Sequence, residues 1–161
     1  MIDVAVHGAE GRMGRLVTAL VDAADDCRLA GLVGEPGREA PAGALHPTLP
    51  LVGQDRMGTV LPHGCVVVDF SLAPALDGLL AAGRALGSPL VIGTTGFDDA
   101  QRGRLAAYAG ERAVVHASNF SIGVPALQML LQLLARTLPR GFDAEQVETH
   151  HVTKQIGRAH V

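Results

Sequence analysis

Two imidazoles and an ammonium lie within five residues of one another in the segment ETHHVTK, at positions 148–154. His150, His151 and Lys154 form a cationic group that suits a substrate with two carboxylates. Imidazole, with an ordinary pKa of about 6.5, can also deliver a proton near neutral pH. From these residues alone a solvated pair, a weak metal site and a catalytic pair all stay open. Because no third ligand is evident, we propose no metal.

A second group of residues forms a glycine-rich turn in the segment VAVHGAEGRMGRL, where Gly8, Gly11 and Gly14 recur at intervals of three. Without a Cβ atom, the first glycine can make a tight turn, the second lets the backbone approach a pyrophosphate, and the third lets a helix sit close to a sheet. The helix amino terminus adds free N–H donors, and Arg12 adds a full charge. The position of the turn, between an apolar run and an amphipathic segment, predicts a dinucleotide-binding turn.

An acidic residue that could bind an adenosine ribose follows at the expected distance. Glu35 lies about 20 residues past Gly14, where a dinucleotide-binding domain places the carboxylate that binds the ribose hydroxyls of NAD. Arg38 could instead bind a ribose 2′-phosphate. The sequence therefore leaves NADH, NADPH and a solvated loop charge all open at this position.

Elements that could position these residues alternate regularly along the chain. Apolar runs of strand length alternate with segments of helical period, which predicts a parallel sheet with crossover helices. We predict strands over 2–6, 29–33, 65–70, 89–92 and 113–116, and a last extended stretch over 143–150. We predict helices over 11–23, 73–86, 98–109 and 124–138, the first with Met13, Leu16, Val17 and Leu20 on its apolar face. The proline-rich stretch 35–50 is predicted to be a surface connector.

The composition sets limits on partners and location. The chain has 161 residues, 48% of them hydrophobic, and a net charge of −3, which fits one domain of ordinary size. The basic residues are scattered, so neither nucleic acid nor an anionic membrane is an expected partner. Cys27 and Cys65 lie in apolar settings and are expected to be buried small hydrophobes. With no leader pattern and no membrane-length apolar run, we expect a soluble, cytoplasmic protein.

Three further motifs lie in order between the glycine turn and ETHHVTK: VVVDFS at 66–71, VIGTTGF at 91–97 and ASNFSIGV at 117–124. Together the five motifs resemble those of the dihydrodipicolinate reductase family, over residues 1–154. The resemblance implies an α/β fold with a Rossmann-type doubly wound parallel sheet over 1–120, and the start of a truncated α+β substrate domain over 121–154. It also implies reduction of 4-hydroxy-tetrahydrodipicolinate to tetrahydrodipicolinate by NADPH or NADH, in lysine and diaminopimelate biosynthesis.

The resemblance assigns roles to individual residues. His150 becomes the general acid, His151 helps to bind a small dicarboxylate substrate, and Lys154 donates to that substrate. The residues assigned to the cofactor, besides Glu35, are Gly8, Gly11, Arg12, Met13, Gly14, Phe70, Ser71, Gly93, Thr94, Thr95, Ser118, Asn119 and Phe120. Ser118 replaces the usual proline of the hinge motif, which should loosen that turn modestly.

The pattern departs from the family after Lys154. The family continues into D-A-P-S-G-T-A, which grips a substrate carboxylate, whereas this sequence reads QIGRAHV. We expect residues 155–161 to be a non-native tail, similar to a translated sequencing adapter. We expect an inactive portion of a homotetrameric parent. The alternative is a stand-alone nicotinamide-dinucleotide-binding module without turnover. The family's ribose-binding acidic position falls on Gly34, so the preference between NADH and NADPH stays open.

Overall fold

The computed structural model describes residues 1–139, 141–143, 145 and 147. The chain divides into two compact units, Met1–Phe120 and Ser121–Val161, which are described separately below. Within the described residues, no helix has the length and apolar character needed to cross a membrane.

The first unit is built on a six-stranded sheet in which every neighbouring pair of strands is parallel. The strands are β1 (Ile2–His7), β2 (Cys27–Gly34), β3 (Leu51–Gly53), β4 (Val66–Asp69), β5 (Leu90–Ile92) and β6 (Val114–His116). Their spatial order is β3-β2-β1-β4-β5-β6, which is the strand order of a doubly wound Rossmann sheet. The predicted fold class is confirmed.

Four helices of the first unit connect these strands: α1 (Arg12–Asp22), α2 (Met57–Val60), α3 (Leu76–Leu86) and α4 (Asp99–Ala109). Successive strand residues point to opposite faces, so Val6 and Leu32 join one apolar cluster with the inner side of α1. Ala5 and Val67 join the other cluster, which includes residues of α3 and α4. Each face of the sheet therefore has its own core.

Local sequence explains where two of these helices begin and end. Asp98 accepts a hydrogen bond from the backbone N–H of Gln101, whose side chain accepts one from the backbone of Asp98, so a capping box starts α4. Gly87 ends α3 with a φ of 66°, in the left-handed region that favours glycine.

The predicted apolar face of α1 is wrong at three of its four residues. Met13, Leu16 and Leu20 are 47–71% exposed, whereas Gly14 is buried and Val17 packs against the core. At Gly14 the helix lies directly against the backbone of Gly8 and Ala9 in the glycine turn, which leaves no room for a side chain there.

The sequence analysis missed one strand and did not predict that one loop packs against the core. Strand β3 is only three residues long, and it is a strand because it pairs with Leu32–Gly34 of β2. The proline-rich loop before it is irregular as predicted, but Leu45 and Leu49 pack against the core rather than lying free on the surface. Of the two cysteines, Cys65 is buried and Cys27 is partly exposed.

The second unit contains helix α5 (Gly123–Thr137), where the predicted helix lies. Its apolar residues are exposed, including Leu127 at 52% and Leu134 at 50%. The predicted extended stretch over 143–150 falls mainly on residues outside the described ones.

Candidate functional site

A cavity of about 530 Å³ lies at the carboxyl edge of the sheet, where the strand order reverses between β1 and β4. In an open parallel sheet this reversal is the position at which ligands bind. The turns after four strands line the cavity, with His7, Gly8, Glu10, Gly11, Gly34, Glu35, Pro36, Gln54, Phe70, Ser71, Leu72, Pro74 and Ala75.

The glycine turn forms one wall of the cavity, and its geometry requires glycine at two positions. Gly8 has a φ of 77°, and a Cβ atom there would lie 2.7 Å from the carbonyl oxygen of Phe70. A Cβ atom on Gly14 would lie 2.1 Å from the carbonyl oxygen of Gly8. Gly11 is the N-cap of α1, and no side chain caps this helix. Arg12 and Met13 occupy its first turn and are exposed.

The loop after β4 forms the opposite wall, around a buried carboxylate. Asp69 Oδ1 lies 2.8 Å from His7 Nδ1, and both side chains are 2% exposed. The hydroxyl and the backbone N–H of Ser71 donate to the same oxygen at 2.6 and 3.2 Å. Burial by itself raises the pKa of Asp69, but the His7 imidazole and the Ser71 donor outweigh it and hold the pKa below its ordinary value.

The turn after β5 approaches this wall. Gly93 lies so close to Phe70 that a Cβ atom would fall 2.1 Å from the ring, so glycine is needed for the ring to pack there. Thr94 is buried and Thr95 is exposed. None of these three residues of the turn is among those that line the cavity.

The segment after β6 contains the other predicted cofactor residues. Ser118, Asn119 and Phe120 are exposed and do not line the cavity. The Phe120 ring packs against the Phe70 ring at a centroid distance of 5.9 Å and an angle of 59°. Phe70 therefore connects the turns after β4, β5 and β6.

Two residues that line the cavity, His7 at the end of β1 and Glu10 in the glycine turn, were not assigned by the sequence analysis. Glu35 also lines the cavity, with its side chain exposed, and its contact with a ribose stays a prediction. Glu10, inside the glycine turn, accepts a hydrogen bond from Arg38 Nε at 3.2 Å. His7 and Glu10 were missed because the glycine spacing drew attention only to the glycines. A polar residue at the end of an apolar strand is the signal that could have found His7.

The remaining predicted residues cannot be placed. Glu148, His150, His151 and Lys154 lie outside the described residues.

The residues of the cavity fit a nicotinamide dinucleotide. A Cβ atom on Gly11 would meet only the carbonyl oxygen of Gly8 within 4 Å, so the backbone there is open to a pyrophosphate, and the uncapped start of α1 offers N–H donors beside it. The fold and this site define a Rossmann-type dinucleotide-binding domain. The chain belongs to the dihydrodipicolinate reductase family, because the family model "Dihydrodipicolinate reductase, N-terminus" matches residues 2–120.

Relatives agree with this assignment. The chain is 41% identical over 153 residues to a 4-hydroxy-tetrahydrodipicolinate reductase of Alkalilimnicola ehrlichii, covering 92% of this chain and 57% of that protein. It is also 41% identical over 154 residues to the reductase of the same name from Xanthomonas axonopodis pv. citri, covering 96% and 63%. The chain thus spans less than two thirds of the length of these relatives.

Solved structures support the fold. A dipicolinate-bound dihydrodipicolinate reductase from Paenisporosarcina sp. TG-14 matches with a TM-score of 0.67 at 23% identity, covering 85% of this chain and 54% of that one. An aspartate semialdehyde dehydrogenase II from Vibrio cholerae matches with a TM-score of 0.50 at 16% identity, covering 83% and 45%. At these identities the likeness concerns the fold alone.

Proposed function

We propose that residues 1–120 bind NADPH or NADH for a 4-hydroxy-tetrahydrodipicolinate reductase of lysine and diaminopimelate biosynthesis. The observation that supports this most is the cavity at the strand reversal, walled by the glycine turn and by the loop after β4, in a chain that belongs to this family. The parent protein is proposed to be a cytoplasmic homotetramer with no nucleic-acid partner.

The described residues have distinct parts in this proposal. Gly8, Gly11 and the first turn of α1, with Arg12, bind the pyrophosphate through backbone N–H groups and one positive charge. Phe70, Ser71 and the turn at 93–95 lie around the nicotinamide half of the cofactor. When bound, the nicotinamide supplies a hydride. The buried Asp69 orients Ser71, because it accepts both the hydroxyl and the backbone N–H of that residue.

The substrate half of the reaction rests on the resemblance. We propose that His150 delivers the proton, His151 helps to bind the dicarboxylate, and Lys154 stabilises developing negative charge. Residues 1–161 do not contain the family's D-A-P-S-G-T segment, so we expect this chain to bind cofactor without turning substrate over.

Binding can be tested by titrating the full chain with NADPH and NADH and following the fluorescence of the reduced nicotinamide. We expect saturable binding of at least one cofactor and no steady-state oxidation with freshly generated substrate. Absence of binding for both cofactors would overturn the proposal. Measurable turnover would overturn the expectation that this chain is inactive.

A pair of glycine variants separates a specific role of the turn from general destabilisation. Gly8 and Gly64 both have positive φ, at 77° and 74°, but a Cβ atom on Gly64 would meet nothing within 4 Å. We expect Gly8→Ala to weaken cofactor binding by about tenfold or more, while Gly64→Ala leaves the dissociation constant unchanged. Equal affinities for the two variants would contradict the assigned position of the pyrophosphate.

A further inference from the structure

His7 is a buried ionisable residue beside the cavity to which the proposed function gives no part. It is the last residue of β1 and lies opposite Asp69, the last residue of β4, in the register of the two parallel strands. His7 Nδ1 lies 2.8 Å from Asp69 Oδ1, and both side chains are 2% exposed. Burying two ionisable groups carries a large desolvation cost, and such groups concentrate at functional sites. The pair is therefore a candidate for a role in ligand binding.

The contact with His7 determines the charge of Asp69. A carboxyl group buried without a partner takes up a proton, because burial disfavours the charged form. Burial is the largest single influence on the pKa of Asp69 and raises it, whereas the His7 imidazole is the largest influence in the opposite direction, so that the pKa lies below its ordinary value. Asp69 is thus ionised at neutral pH, and an ionised carboxylate can only accept hydrogen bonds.

The charge of Asp69 in turn fixes the direction of its hydrogen bond with Ser71. Ser71 Oγ lies 2.6 Å from Asp69 Oδ1, and the backbone N–H of Ser71 donates to the same oxygen at 3.2 Å. A hydroxyl has one hydrogen and two lone pairs. Because Asp69 has no hydrogen to give, Ser71 donates its only hydrogen to Asp69. Ser71 lines the cavity, so its oxygen offers a ligand lone pairs alone.

The position of Ser71 indicates which part of the cofactor it faces. A Cβ atom on Gly8 would lie 2.9 Å from the Ser71 nitrogen, so Ser71 is directly beside the turn to which the pyrophosphate is assigned. Ser71 follows β4, which lies on the other side of β1 from β2, and the adenosine ribose of a dinucleotide lies at the end of β2. The cofactor group next to the pyrophosphate on the β4 side is the second ribose, whose hydroxyls can donate. A phosphate oxygen has no hydrogen to donate.

We propose that His7 is a positioning residue, which acts through Asp69 to present Ser71 Oγ as a hydrogen-bond acceptor to a ribose hydroxyl on the nicotinamide side of the cofactor. Without His7, a protonated Asp69 would donate to Ser71, and the hydroxyl hydrogen of Ser71 would turn toward the cavity. The acceptor would then be lost although Ser71 itself is still present. The inference rests on the proposed function, because it requires a nicotinamide dinucleotide in the cavity.

The first part of the test locates the group that Ser71 accepts from. The full chain and Ser71→Ala are titrated with NADPH, NADH, ADP-ribose and ADP. ADP-ribose keeps both riboses and the pyrophosphate but lacks the nicotinamide, and ADP also lacks the second ribose. We expect Ser71→Ala to weaken ADP-ribose and the reduced cofactors by roughly three- to tenfold, the effect of one hydrogen bond, and to weaken ADP by less than about twofold.

The second part tests whether His7 acts through Ser71. His7→Leu removes the imidazole and should weaken ADP-ribose by about as much as Ser71→Ala does. Adding Ser71→Ala to His7→Leu should then cost less than about twofold more, which is the coupling expected of residues that act as one unit. In His7→Asn an amide N–H can still donate to Asp69, so the full cost of Ser71→Ala should return. His7→Val, with a residue that favours strands, replaces His7→Leu if circular dichroism shows that the leucine variant does not fold.

Tyr108→Phe is the control for lost stability. The Tyr108 hydroxyl donates to the carbonyl of Ser88 at 2.6 Å in the core, and neither residue lines the cavity. This variant should lower the Tm and leave the ratio of the ADP-ribose and ADP dissociation constants unchanged. A cost of Ser71→Ala that is equal for ADP and ADP-ribose, that appears only with the reduced cofactors, or that is undiminished without His7 would overturn the inference. Failure of the wild type to bind either reduced cofactor would instead overturn the proposed function.

Discussion

Substitution of Gly14 tests the contact that brings α1 against the glycine turn. A Cβ atom on Gly14 would lie 2.1 Å from the carbonyl oxygen of Gly8 and 2.7 Å from Ala9 Cα, both backbone atoms. An ordinary contact needs about 3.5 Å, so in Gly14→Ala the helix or the turn must move by more than about 1 Å. No flexible side chain is available at this contact to absorb the displacement.

The cost follows from that geometry. Overpacking of a tight site costs about 1–3 kcal/mol, and contact with backbone atoms rather than with a movable side chain places this variant in the upper part of the range. A loss of about 2–3 kcal/mol lowers the Tm of a chain of this size by roughly 4–12 °C. Cofactor affinity should fall as well, because the displaced helix carries the N–H donors of the pyrophosphate site.

Circular dichroism melts and NADPH titrations of Gly14→Ala measure both effects. The matched control is Gly103→Ala in α4, where a Cβ atom would meet nothing within 4 Å. That variant should gain about 0.5–1 kcal/mol, because alanine favours the helix and restricts the unfolded chain. If Gly14→Ala has the same Tm as Gly103→Ala and binds the cofactor as tightly as that variant does, the close approach of α1 to the turn is refuted.

Two further substitutions test other parts of the first unit. The lowered pKa of Asp69 means that its charge stabilises the folded state above the unfolded pKa of about 4, and that this contribution is lost as the pH falls through the folded pKa. The difference in free energy of unfolding between wild type and Asp69→Asn, from urea titrations, should therefore shrink below about pH 5; a constant difference would contradict the assignment. Asp98→Ala removes the capping box of α4 and should cost about 1 kcal/mol in the same assay, whereas an unchanged midpoint would show that the cap contributes nothing.

The sheet and the glycine turn could be predicted because their signals are local. Apolar runs such as CVVVDF mark buried strands, and glycine spacing after the first strand marks a turn that needs residues without a Cβ. The apolar face of α1 was predicted wrongly for a related reason. Hydrophobic periodicity gives no weight to glycine, yet Gly14 is the residue of α1 that is buried.

The buried pair of His7 and Asp69 could not be predicted, because it depends on pairing between strands. His7 is adjacent to Asp69 only because β1 and β4 are parallel neighbours in register. In the sequence these two residues are far apart, and neither belongs to a spacing that signals contact. The sequence analysis named the motif that contains Asp69, but it did not predict the contact of Asp69 with His7.

The same reasoning explains why the sequence left cofactor preference open. Glu35 and Arg38 appeared as two charges on a loop, and either could have met the ribose. In the structure, the segment that carries them is hydrogen-bonded at Gly37 and Glu39 to Asp55 and Arg56, which follow the short strand that the sequence did not reveal. Strand β3 pairs with the end of β2 and so brings those two side chains to the turn that carries Arg38. The element that was hardest to predict is therefore the one that is followed by the side chains holding this turn.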